Sequence, residues 1–141
     1  MDALQRITER VYRNGDPNEV ATPRPLLTIE EFFEGNTDAG SIGCNIYPEP
    51  PAPEQFYAFF QRIAARADVK DIRVRVTDVN EGEWPFADTV YVMTSASPNE
   101  VMSWFDDAMK PDETWEGFRA DEAYEPYVVP QGVRAVACWW D

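Results

Sequence analysis

The sequence predicts an α+β fold with a ferredoxin-like βαββαβ core from about residue 41. Such a core sets two helices on one face of an antiparallel four-stranded sheet, and extra N-terminal helices pack on it. Three observations predict this. From residue 41 the periodicities run strand, helix, strand, strand, helix, strand. The strands alternate, with one aliphatic side each. The 141 residues are 44% hydrophobic and 13% aromatic, enough for one core. Residues 1–40 then form a helical extension and 41–141 the core of a single domain.

Each element has its own signal. In residues 2–13, Leu4, Ile7 and Val11 share a helical face opposite Arg6, Glu9, Arg10 and Arg13, and Asn14-Gly15 ends the helix. Residues 15–25 carry three prolines and read as an extended connector. Thr28 and Glu31 have capping-box spacing ahead of Phe32 and Phe33, and Gly35 closes that short helix. Residues 36–40 have turn composition. Residues 41–47 alternate, with Ile42, Cys44 and Ile46 on one side, and predict the first core strand. Pro53 suits the first position of a helix whose stripe is Phe56, Phe60, Ile63 and Ala67. Residues 71–79 point Ile72, Val74 and Val76 inward, and residues 88–95 do the same with Val90 and Val92. Ser97 and Glu100 form a second capping box before Val101, Trp104 and Phe105. Residues 110–132 lack periodicity, and 133–140 are apolar enough for a final strand.

The chain has 12 basic and 26 acidic residues, a net charge of −14. From Val76 onward stand three basic residues against fourteen acidic ones, a net of −11. A field of this sign repels nucleic acid and anionic membranes and attracts basic partners. The absence of histidine excludes Ser-His-Asp and Cys-His catalysis and histidine metal sites. No cofactor and no metal is therefore expected, nor a catalytic set. Asp38, Asp78, Glu81 and Glu83 are the carboxylates that a hydrolase would have to use, but their spacing resembles ordinary surface acids. The N-terminus has no signal pattern and no stretch approaches a membrane span, which predicts a cytoplasmic protein with Cys44 and Cys138 as inert buried thiols.

The segment from Asp106 to Tyr127 mixes acids with large rings. Asp106, Asp107, Asp112, Glu113, Trp115, Glu116, Phe118, Asp121, Glu122 and Tyr124 combine rigid contact area with carboxylates that pair with Lys and Arg. They are the candidate surface for a basic protein partner. The plainer reading is a long loop whose rings pin it to the domain while its acids face water. On the expected sheet, Arg73, Arg75, Tyr91 and Met93 face away from the helices. That open face would be covered by the N-terminal helices or by a second copy in a homodimer.

The run Leu27-Thr28-Ile29-Glu30-Glu31-Phe32-Phe33-Glu34-Gly35-Asn36, followed by Gly40-Ser41-Ile42-Gly43-Cys44-Asn45, resembles segments of small uncharacterised bacterial proteins. The acidic charge and the two terminal tryptophans are similar to toxin-immunity proteins. That resemblance implies a stoichiometric inhibitor masking a basic toxin, without catalysis. A self-associating structural domain is the alternative, and a carboxylate hydrolase a third.

Overall fold

Helices begin where a side chain can take a free backbone amide. In the computed structural model, which describes residues 1–141, Asp2 accepts from Gln5 N–H at 2.8 Å and starts α1 (Ala3–Val11). After the short strand β1 (Leu26–Thr28), the predicted capping box closes at both ends and starts α2 (Ile29–Phe33). Glu31 N–H reaches Thr28 Oγ1 at 3.1 Å, and Thr28 N–H reaches Glu31 Oε1 at 2.9 Å. Pro53 opens α3 (Pro53–Ala64), where its missing N–H leaves no bond unmade. The hairpin of β2 (Val69–Asp78) and β3 (Phe86–Thr94) follows, then the Ser97-capped α4 (Pro98–Trp104), β4 (Glu113–Glu116) and β5 (Arg134–Trp139).

The five strands form one sheet in the order β1-β2-β3-β5-β4, and every neighbouring pair is antiparallel. The chain is thus α+β with one antiparallel sheet and four helices. The strand expected at 41–47 does not form. Gly40 and Gly43 turn with φ of 96° and 66°, and Ile42 makes a single isolated bridge to Ala87. A Cβ on Gly43 would lie 2.9 Å from Ile46 Cδ1 and 3.0 Å from Phe56 Cζ, so the segment folds tightly back against α3. Its apolar residues alternate because Ile42 and Ile46 are pulled inward from a loop. The ferredoxin-like expectation thus loses its first strand, and what stands is an antiparallel sheet with helices on one face. Two short strands that the sequence did not suggest, β1 and β4, are the sheet's edges.

All four helices pack on one side. Ile7 and Val11, Phe32 and Phe33, Phe56, Phe60 and Ile63, and Val101 share a core with Ile72, Val74, Val76, Val90, Val92, Val136 and Cys138 of the sheet. Aromatic edges dominate it. Phe60 meets Phe33, Phe56, Phe59 and Phe105, and Trp140 meets Phe56 and Phe105. Each such ring contributes roughly 2–3 kcal/mol by its burial. The N-terminal helices therefore lie on the same side of the sheet as α3 and α4, not on the opposite face as one expectation had it. That opposite face (Leu26, Tyr91, Met93, Ala135 and Ala137) is closed by residues 115–133, through Trp115, Phe118, Tyr124, Tyr127, Val129 and Val133.

Candidate functional site

The ten residues singled out in the sequence separate into two groups. Phe118, Glu122 and Tyr124 turn inward onto the sheet. The Phe118 ring lies 4.5 Å from Tyr91 and 5.0 Å from Tyr124. The Tyr124 hydroxyl sits 3.0 Å from that of Tyr91 and donates to Glu122 at 2.6 Å. Glu122 in turn forms a two-pronged ion pair with Arg75, whose Nη1 also reaches Asp88 at 3.3 Å. Burial by itself would raise the Glu122 carboxyl. The Arg75 and Tyr124 hydrogen bonds and the Arg75 charge outweigh it and hold the group below the usual carboxylate range. Burial and the bond to Glu122 push the Tyr124 hydroxyl far above its ordinary value. Phe118 and Tyr124 pin the loop as the plainer reading of the segment had it, whereas Glu122 turns inward where that reading had the acids in water.

A second clamp was not anticipated. Arg10 of α1 is buried and bridges Glu31 at 2.9 Å and Glu125 at 2.7 Å, while Asn14 also donates to Glu125 at 3.0 Å. Burial would raise the Glu125 carboxyl too, but the Arg10 bonds and charge bring it below the usual range. One rule could have found these pairs: a buried arginine needs a counter-charge. The arginines on β2 and the amphipathic α1 required acids, and the loop holds the nearest supply.

The outward group is Asp106, Asp107, Asp112, Glu113, Glu116 and Asp121, all exposed. Asp106 and Asp107 follow α4, whose successor Met109 is anchored by Trp140 Nε1 donating to its carbonyl at 2.9 Å. Asp112 accepts from the Asp141 N–H at 2.7 Å, and its own N–H reaches Trp139 at 2.8 Å. Asp112 is thus fixed to the C-terminal strand. Glu113 and Glu116 lie on β4, opposite Trp139 and Val136. Glu116 pairs with Arg134 at 2.8 Å, both half in water, a bridge of little energetic weight. Asp106, Asp107, Asp112, Glu113 and Asp121 have no cationic partner. Trp115 stands half-buried between them, with the Arg119 guanidinium 4.8 Å from its ring centre. Trp139 and Asp141 belong to this edge and were not foreseen.

Other places on the surface offer less. A cleft of about 240 Å³ is lined by Arg24, Arg75, Thr77, Asp121 and Glu122. Arg24 spends its N–H groups on the carbonyls of Pro17, Glu19, Thr22 and Thr77, at 2.7–3.3 Å, so it has no donor left for an anion. It staples the proline-rich connector to β2. The groove of about 550 Å³ between α1 and α2 carries Arg6 and Arg13 against Glu30 and Glu34, with mixed sign and no focus. Asp38, Asp78, Glu81 and Glu83 are exposed and line none of these cavities. No three Cys, Asp or Glu side chains converge as metal ligands. Cys138 is buried as expected, whereas Cys44 is exposed, because its segment is a turn and not a strand. Partial desolvation with Asp88 and Asp141 nearby still raises its thiol. No helix is long and apolar enough to cross a membrane.

Residues 2–138 match the family described as Uncharacterized protein YfbO family. Over 141 residues, the whole of both chains, the sequence is 45% identical to "Uncharacterized protein YfbO" of Escherichia coli (strain K12). No solved structure matches it.

Proposed function

This chain belongs to the YfbO family, and we propose that it is a small cytoplasmic binding protein without catalytic activity that masks a basic protein partner, in the manner of a bacterial immunity protein. The observation that carries this reading is the set of acids left over once the fold has used the others. Glu122 and Glu125 neutralise buried arginines, while Asp106, Asp107, Asp112, Glu113 and Asp121 remain in water without a cation. An exposed set of one sign, with Asp112 bonded to the C-terminal strand and Glu113 on β4 near the half-buried Trp115, steers and orients a cationic surface. The net −14 charge extends that attraction beyond contact range.

The test begins with tagged protein recovered from its own cells at low salt and eluted with rising salt. A stoichiometric basic protein is expected in the eluate. Replacing Asp112, Glu113 and Glu116 with serine should release it at lower salt and flatten the salt dependence. An empty eluate, or a partner whose release ignores these three residues, would overturn the assignment.

A further inference from the structure

The two edges of the sheet are finished differently. At β1 the backbone is sealed. The Leu26 carbonyl accepts from Arg10 at 3.1 Å and Arg73 at 3.3 Å, and the Leu26 amide faces the Glu125 carboxylate. Arg24 exchanges backbone bonds with Ala123 at 2.8 Å and Glu125 at 3.1 Å. At β4 the Thr114 hydroxyl donates to the Pro98 carbonyl of α4 at 3.0 Å, but no side chain caps the strand's own amides or carbonyls. Trp140 N–H reaches Asp88 on β3 at 2.9 Å, and Gly117 N–H reaches Ala135 on β5 at 2.8 Å. Ladder alternation then gives the odd residues of β4 to β5 and turns the N–H and C=O of Thr114 and Glu116 outward. Neither residue makes a backbone bond outside the sheet ladders.

Resting on the reading above, we infer that the partner docks by adding a basic β-strand to the open edge of β4. An open edge templates strand addition, and its side chains choose the strand. A second copy is the wrong occupant. Self-pairing would bring two chains of net charge −14 together, with Asp112, Glu113 and Glu116 of both gathered at one seam where like charges repel. The same positions welcome Lys or Arg. Glu113 and Glu116 lie on opposite faces, three residues apart, with Trp115 between them. The fitting strand therefore carries basic residues three apart and a small aliphatic residue against the indole. Asp112 and Asp141 extend the negative field at one end.

The probe is the blocked heptapeptide Lys-Val-Thr-Lys-Val-Thr-Lys, compared with the same peptide N-methylated at alternate amides. Both carry the same charge, but only the first can pair along its backbone. The unmodified peptide should bind the full-length protein at low salt, at least tenfold more tightly than the methylated one. Amide exchange at Thr114 and Glu116 should slow on binding. Equal, salt-sensitive binding of both peptides would leave acidic docking standing and overturn strand addition. Failure of both to bind at low salt would overturn the two readings together. An E113S/E116S variant serves as a second check, because both residues are exposed and the fold does not need them; unchanged affinity would also overturn the inference.

Discussion

On its helix side the sheet meets Phe56, Phe60, Ile63 and Val101, and contact is almost wholly apolar. On its other side it meets a loop whose rings are few and whose grip comes from Arg75 with Glu122, Arg10 with Glu125, and Tyr127 donating to Asp71 at 2.6 Å. The first contact gains from every apolar area removed from water and is indifferent to pH. The second has desolvated charges, whose attraction repays burial only while both partners are ionised. A sequence with this much acid and this little base thus uses its few arginines beneath the loop and leaves the surplus acids outside.

The comparison is broken most severely on the helix side. Phe60→Ala removes a fully buried ring with four aromatic neighbours, and should cost about 3–5 kcal/mol in urea unfolding. On the loop side, Arg10→Ala leaves Glu31 and Glu125 without their cation, and a loss of about 3 kcal/mol is expected. The sharper version replaces Arg10 by methionine and Glu125 by leucine together. If the loop is held by compensated charge, the double variant should recover most of the loss of the single one, which no helix-side pair would do.

Acid should separate the two faces without mutation. Glu122 and Glu125 have folded values below those of the unfolded chain. Their contribution is therefore present above the ordinary carboxylate range and is lost as pH falls through the depressed values. Arg10, Arg75 and Arg119, which face them, stay charged throughout. Followed by NMR as pH falls through and below the ordinary carboxylate range of about 4, residues 118–127 should shift before the amides of β2 and β3. Simultaneous loss on both faces would mean that the clamps carry no separate share.

The same division explains what was legible in the sequence. The Thr28–Glu31 and Ser97–Glu100 boxes, Pro53, and the alternation of β2 and β3 are local signals and appeared where expected. β1 and β4 have three and four residues, and their pairing is fixed only by partners far along the chain. Residues 41–47 misled because two glycine turns can bring alternate residues inward without a strand. Within the candidate segment, which acids face inward was not legible, because it depends on Arg75, 47 residues before Glu122, and on Arg10, 115 before Glu125. Such distances leave no periodicity to read.

The smallest effect tests the outward acids themselves. Asp106→Ser and Asp107→Ser remove charges that have no partner in the fold, so neither should change stability by more than about 0.5 kcal/mol. Any change should be a gain, since self-repulsion in a chain of net charge −14 falls with each acid removed. The gain should shrink as salt is added, because screening already suppresses repulsion between exposed charges. A clear loss of stability would show that these carboxylates are bound within the fold, and they would then leave the docking surface and join Glu122 and Glu125. Stability held constant, with weaker retention of a basic partner, is the pattern that separates acids kept for binding from acids kept for folding.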